Sequence, residues 1–172
     1  MMNIEIFTQG SGTTTSAEDN LQYIDYFSGS FMKVQNLREY LSSYGDVNVH
    51  ILDDEIGYVT GDMRLGEEKT TEESAVTRFR ETLLEKAETA DVILIMLTKD
   101  LLEEVLVPNW NEILERAQPN STWCLSCPRS VIDELNLDNL RDRATLFIYQ
   151  RKGVARLGQD VEKELLEHLD GK

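Results

Sequence analysis

A run of glycine and hydroxyl residues near the start of the chain is the first segment whose residue types could bind a ligand: Gly10, Ser11, Gly12, Thr13 and Thr14. Glycine allows backbone N–H groups to approach a ligand closely, and hydroxyls can donate hydrogen bonds to phosphate oxygens. The pattern Thr15-Ser16-Ala17-Glu18 is typical of a capping box, and a helix beginning there would direct its positive end at the same place. These residues predict either a phosphate-binding turn or a polar connection between a strand and a helix.

Basic residues are concentrated in one segment, 141–156, of an otherwise acidic chain. The segment holds five of the 17 bases and a single acid. Arginine binds phosphate or carboxylate through paired hydrogen bonds. We therefore predict that Arg151, Lys152 and Arg156 contact a small anionic ligand. Two alternatives remain open: the segment docks an acidic partner protein, or its bases pair with surface acids.

Asp53 and Asp54 follow the second apolar run, where they could bind a ribose hydroxyl or a metal ion, or could be solvated surface acids. We predict that both contact the ligand and that the chain holds no metal site. The two histidines, His50 and His168, have no useful spacing for zinc and allow no Ser-His-Asp arrangement. The residues do not identify a cofactor.

Trp123-Cys124-Leu125-Ser126-Cys127-Pro128 contains the two cysteines of the chain. The Trp-Cys-x-x-Cys order resembles the thioredoxin active site, which would imply a thiol of lowered pKa. The motif lies far along the chain, whereas in thioredoxins it follows an early strand. We expect both cysteines to be structural, one of them buried and the other near a turn.

Five apolar runs of strand length alternate with helical patterns: residues 4–8, 47–52, 91–97, 121–125 and 144–149. The unbroken run from Asp91 to Leu97 suits a central parallel strand covered on both faces. Apolar residues at helical spacing predict helices at 16–27, 31–44, 99–105, 109–117, 130–135 and 159–169, and another whose buried face carries Val76, Phe79, Leu83 and Ala87.

This order of elements predicts one domain over residues 1–172, a three-layer, doubly wound α/β fold with a mostly parallel five-stranded sheet, flavodoxin-like or Rossmann-like. In such sheets ligands bind beyond the carboxyl ends of the strands. In a 2-1-3-4-5 order the fifth strand lies about 14 Å from the first, at ~4.8 Å per strand, a gap that a nucleotide could span. The glycine and hydroxyl run after the first strand resembles, in composition, the phosphate loop of flavodoxin-like proteins.

The chain carries 32 acids and 17 bases, a formal charge of −15, and ten of the bases are arginine. Repulsion among dispersed carboxylates destabilises a fold in dilute buffer, whereas molar salt shortens the Debye length to about 3 Å. We therefore expect a halophilic protein. A broad nucleic-acid surface is excluded because phosphate binding needs a basic face. No run approaches the ~20 apolar residues of a membrane span, so we expect a cytoplasmic protein.

Two stretches in the first third of the chain resemble small α/β proteins related to the bacterial peroxide-stress protein family. The first is Tyr26-Phe27-Ser28-Gly29-Ser30-Phe31, an aromatic-small-small-Phe segment that opens a helix. The second, Val49 to Gly57, is a strand that ends in a glycine-containing loop. The resemblance implies nucleic-acid or nucleobase chemistry.

A second resemblance is to nucleoside 2-deoxyribosyltransferases. Their Ala-Asp-Val-Val strand is similar to Ala90-Asp91-Val92-Ile93, and the helix that bears their nucleophilic glutamate is similar to Trp110–Ala117. Glu112 would then be the nucleophile for glycosyl transfer.

Together these features predict a protein that binds a nucleotide, nucleoside or other phosphorylated ligand, and whether it is an enzyme stays open. One alternative is a non-catalytic interaction protein that docks an acidic partner through segment 141–156. The other is an enzyme that hydrolyses or transfers the N-glycosidic bond of a nucleoside.

Overall fold

The computed structural model describes residues 1–16, 20–68, 73–151 and 155–172. Six strands form one sheet: β1 (Met2–Gln9), β2 (Gly45–Asp53), β3 (Gly57–Thr60), β4 (Val92–Met96), β5 (Thr122–Cys127) and β6 (Thr145–Gln150). Their order is β3-β2-β1-β4-β5-β6, and neighbouring strands are parallel except β2 and β3. The five predicted strands are all present, in the order that places the last of them three spacings from the first.

The sixth strand corrects the expectation of five. β3 pairs antiparallel with β2 after a tight turn, in which Asp53 Oδ2 accepts hydrogen bonds from the backbone N–H groups of Glu55 and Ile56, at 3.1 Å each. Gly57 follows with a φ of +93°, a conformation that favours glycine. The strand has four residues, Gly-Tyr-Val-Thr, and a pattern this short does not separate a strand from a polar loop.

Helices cover both faces of the sheet. One face carries α1 (Tyr23–Tyr26), α2 (Met32–Leu41) and α8 (Gln159–Asp170). The other carries α3 (Ala75–Ala87), α5 (Trp110–Arg116), α6 (Arg129–Glu134) and α7 (Leu137–Arg141), together with a π-helical turn, Leu102–Leu106, that follows the short α4 (Lys99–Leu101). Within the described ranges, no helix is long and apolar enough to cross a membrane.

The predicted helix at 16–27 is wrong over most of the part that the structure describes, because only α1, four residues long, is helical there. The N–H groups of Tyr23 and Ile24 donate instead to the carbonyls of Met63 and Gly61, at 2.9 Å each. The apolar residues of this segment nevertheless pack in the core, since Tyr23, Ile24 and Phe27 are all buried. Part of the predicted capping box lies outside the described residues.

Successive side chains along each strand point to opposite faces of the sheet, so the core has one part on each face. In β4, Val92, Leu94 and Met96 pack toward α2 and α8, whereas Ile93 and Ile95 pack toward α3 and α5. All five residues of β4 are buried, which confirms the prediction of a central strand.

A charged network crosses the core between β1, β2 and α3. Glu5 is fully buried, with Oε2 3.0 Å from His50 Nε2 and Oε1 3.6 Å from Lys86 Nζ. His50 Nδ1 lies 2.7 Å from the Tyr58 hydroxyl, and the His50 ring stacks on Phe7. Each charge is compensated, so the network is structural.

Candidate functional site

A cavity of about 340 Å³ lies at the carboxyl ends of β1 and β2, next to the crevice between β1 and β4. Its walls are the loop after β1, the turn after β2, the end of α1 and one residue of α4: Gln9, Gly10, Ser11, Gly12, Thr14, Tyr26, Phe27, Leu52, Asp53, Asp54, Glu55, Ile56 and Leu101. Two of the segments singled out in the sequence, the glycine and hydroxyl run and the acidic pair, therefore share one cavity. Thr13 lies in the same loop but does not line it.

Gly10 brings the first loop into contact with the second. A Cβ atom on Gly10 would lie 2.6 Å from Asp53 Oδ1 and 2.6 Å from Cε1 of Phe27. The Gly10 N–H donates to the carbonyl of Leu52 at 3.1 Å, which fixes this approach. Any larger residue at this position would push the loops apart.

The Ser11 hydroxyl of the first loop is used within the protein. The Ser11 hydroxyl lies 2.7 Å from the Thr13 carbonyl and 2.6 Å from the Ser28 carbonyl. The N–H of Thr13 donates back to Ser11 Oγ at 3.2 Å. Over the described residues after this loop, the expected helix is absent, so no helix N-terminus in that part directs its positive end at the loop.

Carboxylates and aromatic rings form the rest of the walls. Asp53 Oδ2 is held by its own turn, and Asp54 and Glu55 are exposed. Tyr26 is half-buried and meets the buried Phe27 edge to face, with ring centroids 5.4 Å apart. The cavity therefore offers acceptors and an aromatic surface, which suit a ligand with hydroxyl or amino groups and a flat ring.

Arg156 extends from the segment after β6 to the end of β1, where it is buried with 4% of its surface exposed. Its Nη1 donates to Thr8 Oγ1 and to the Ala155 carbonyl at 3.0 Å each, and its Nε donates to the Ser30 carbonyl at 3.2 Å. Its Nη2 lies 3.5 Å from the carbonyl of Gln9, a residue that lines the cavity. The guanidinium thus occupies the crevice beside the cavity.

Arg151 is buried at the end of β6 with 5% of its surface exposed, and its Nη1 donates to the Ser126 carbonyl at 2.9 Å. Neither Arg151 nor Arg156 has a carboxylate within 4 Å among the described residues. Burial, together with the smaller effect of the charge of Arg151, lowers the pKa of Arg156 to about 10. Two buried cations in a chain of charge −15 therefore lack a counter-ion within the described part of the chain.

The other bases of segment 141–156 are engaged locally. Arg141 lies 3.8 Å from Asp138, and Arg143 Nη1 lies within 3.0 Å of the Glu115 carbonyl. Lys152 lies outside the described residues. Arg141 is exposed and Arg143 is half-buried, and both lie at the amino end of β6, apart from the buried Arg151 and Arg156.

Gln9 lines the cavity and also contacts Arg156 and the start of α4. Its Oε1 accepts a hydrogen bond from the N–H of Thr98 at 2.7 Å, which links the end of β1 to the start of α4. Sequence reasoning missed Gln9, Tyr26 and Leu101 as lining residues. Gln9 could have been found as the last residue of its strand, whereas Leu101 enters only because the strand order places β4 beside β1.

Glu112 does not belong to this cavity. It lies on α5 with 44% of its side chain exposed, and Oε1 is 2.8 Å from Arg116 Nη2. Arg116 also lies 3.9 Å from Glu88 at the end of α3, just before β4 begins. The structure does not bring Glu112 together with the other predicted site residues.

Both cysteines are free and buried within β5. Cys124 packs toward one face of the sheet and Cys127 toward the other, because residues three apart on a strand point to opposite sides. Burial raises the pKa of each thiol to about 12. Neither thiol therefore has the lowered pKa of a redox-active cysteine. Within the described ranges no cluster of three metal-ligating side chains occurs.

Comparisons with known proteins give little to set beside this geometry. No protein-family model matches the chain, and no curated protein matches it. A search of solved structures finds the flavodoxin-like domain of a Synechococcus protein, which is 10% identical, covers 96% of this chain and 92% of that chain, and has a TM-score of 0.40. The α/β architecture, a mostly parallel six-stranded sheet between flanking helices, therefore rests on the strand order and register of this chain.

Proposed function

We propose that this protein binds a nucleotide at the carboxyl end of its sheet, with the nucleoside in the cavity over β1 and β2 and the phosphate beside Arg156. The observation that carries the proposal is the position of Gln9. It lines a cavity of carboxylates and aromatic rings, and its carbonyl lies 3.5 Å from a buried guanidinium without a carboxylate partner among the described residues.

The cavity over β1 and β2 suits the nucleoside half of such a ligand, and Arg156 suits its phosphate. Asp53 and Asp54 can accept hydrogen bonds from ribose hydroxyls, and Tyr26 offers a ring face for a base. An anion at Arg156 would supply the missing counter-charge, which makes a buried cation less costly. Phosphate would be disfavoured inside the cavity, where Asp53, Asp54 and Glu55 would repel it.

The direct test compares each nucleoside with its 5′-monophosphate by calorimetry at constant high salt. We expect the monophosphate to bind more tightly, and Arg156→Gln to weaken its binding by about 1.5–3 kcal/mol while leaving nucleoside binding nearly unchanged. Asp53→Asn should weaken both ligands. Asp46→Asn is the matched control, because Asp46 is exposed at the opposite end of β2. Absence of binding by every nucleoside and nucleotide would reject the proposal.

The non-catalytic alternative has less support, since the described bases of segment 141–156 are buried or paired. A pull-down in which Arg141→Ala removes an acidic partner would favour it. Glycosidic chemistry through Glu112 has less support, since Glu112 does not line the cavity over β1 and β2. Hydrolysis of a nucleoside that disappears in Glu112→Gln would be needed to support it.

A further inference from the structure

The outer edge of the sheet at β6 carries backbone groups without a hydrogen-bond partner among the described residues. The N–H groups of Thr145 and Arg151 donate to the carbonyls of Ser121 and Cys127, so the odd-numbered residues of β6 face β5. Backbone directions alternate along a strand, and Leu146, Ile148 and Gln150 therefore face outward. The edge presents three N–H and three C=O groups in a row.

The side chains of β6 leave this edge unprotected. The strand reads Thr-Leu-Phe-Ile-Tyr-Gln, with no charge and no proline, and every residue is partly or fully exposed, whereas all six residues of β5 are buried. Proteins usually protect a free edge with charged residues, proline, a bulge or a covering segment. At the opposite side of the sheet, Tyr23 and Ile24 donate to the carbonyls of Met63 and Gly61, so the segment that follows β3 is paired.

Charge is distributed unevenly along β6. Arg141, Arg143 and Lys172 line one depression at its amino end, together with a single acid, Asp142. At its carboxyl end α8 begins, with Asp160 and Glu162 in the first turn. A second copy that runs antiparallel would bring the basic end of one molecule beside the acidic end of the other, whereas parallel alignment would pair like charges.

We propose that β6 is a self-association edge, at which a second copy of this chain adds its own β6 in antiparallel orientation. The two-fold axis passes at Ile148, so that Ile148 pairs with Ile148 of the second copy and Leu146 pairs with Gln150. All outward N–H and C=O groups of the three residues are then satisfied, and the two six-stranded sheets become one. The surface lies apart from the nucleotide cavity and does not depend on it.

Hydrogen exchange on the unmodified protein tests the pairing without a substitution. At high protein concentration the amides of Leu146, Ile148 and Gln150 should exchange slowly, and dilution to the monomer range should make them fast. The amides of Phe147 and Tyr149 bond to β5 and should stay protected at both concentrations. Fast exchange at residues 146, 148 and 150 in a concentrated sample would overturn the proposal.

Sedimentation velocity with variants provides the second test. Ile148→Pro removes an outward N–H without breaking the ladder to β5, and proline is tolerated at such edge positions. It should weaken dimerisation by about tenfold or more, and Gln150→Pro at the exposed strand end should do the same. Tyr40→Ser, at an exposed aromatic residue on α2, is the control and should leave the dimer intact. A dimer that survives both proline variants would place the interface elsewhere, and a monomer at every concentration would reject it.

Discussion

At the scale of single residues, buried charge occurs in two distinct settings. Glu5 has His50, Lys86 and Asn48 around its carboxylate, so its burial is compensated within the fold. Arg156 donates only to carbonyl and hydroxyl oxygens, which leave its charge without a compensating anion among the described residues. The first arrangement stabilises the fold, and the second leaves a position where an external anion can contribute.

The Glu5 network should be sensitive to removal of its carboxylate. We expect Glu5→Ala to reduce the free energy of unfolding by about 3–5 kcal/mol, since His50 and Lys86 lose their partner. Glu5→Gln keeps one acceptor oxygen for these groups and should cost less. Urea unfolding measures both. Glu104→Ala is the control, with a change within about 0.5 kcal/mol, because Glu104 is exposed and has no ion pair among the described residues. Equal stability of Glu5→Ala and wild type would contradict the structural role.

The thiols should be unreactive in the folded chain. Burial raises the pKa of Cys124 and Cys127 from 9.0 to about 12, so both stay protonated at pH 8. We expect almost no reaction with a disulfide reagent until denaturant is added, when both should react. Because unfolded thiols ionise above pH 9 and folded ones do not, stability should fall as pH rises from about 9 toward 12. Rapid labelling of a native thiol would revive a redox role.

At the scale of elements, the loop after β1 is positioned by contacts with neighbouring segments. The isolated bridge between Thr14 and Phe27 and the hydrogen bond from Gly10 to Leu52 hold it against its neighbours. These contacts explain how the loop forms a cavity wall. Its two lining glycines are not equivalent, because only Gly10 is crowded.

The two glycines therefore form a matched pair of tests. Gly10→Ala places a methyl group 2.6 Å from Asp53 and Phe27, and we expect it to destabilise the fold by about 1–3 kcal/mol and weaken nucleotide binding. Gly12→Ala meets nothing within 4 Å and should leave stability almost unchanged. Thermal unfolding with and without nucleotide measures both effects. Equal behaviour of the two variants would show that the loop does not pack as described.

At the scale of the whole molecule, charge dominates the expected solution behaviour. With 32 acids and 17 bases, repulsion among surface carboxylates should destabilise the fold at low salt. Few of these acids form ion pairs within the described residues. Most of the described pairs are exposed and join residues three or four apart in the same helical segment. Such pairs contribute little, about 0–1 kcal/mol each.

We expect the melting temperature to rise by many degrees between dilute buffer and molar KCl, because salt screens this repulsion. A variant in which Glu39, Asp46 and Glu104 become amides should show a smaller rise, since all three are exposed. Differential scanning calorimetry of both proteins over a KCl series is the measurement. A midpoint that does not move with salt would remove the argument for a halophilic protein.

The sequence alone determined the features that depend on local pattern and composition. The apolar run of β4 and the face of α3 that carries Phe79, Leu83 and Ala87 were predictable because burial imposes a fixed period on strands and helices. The excess of acidic over basic residues likewise follows from composition alone and does not depend on tertiary contacts. The five predicted strands follow from the same periodicity.

Only the tertiary structure decided which distant segments meet. The sequence pattern could not find β3, whose pairing depends on β2, and it predicted a helix where the backbone of Tyr23 and Ile24 bonds to the segment after β3. The sequence predicted that Arg156 contacts an anionic ligand, but it could not show that the side chain is buried at the end of β1, 148 residues away from its partner Thr8. Long-range packing and hydrogen bonding override local propensity at such positions, because a buried polar group must find its partners wherever the fold places them.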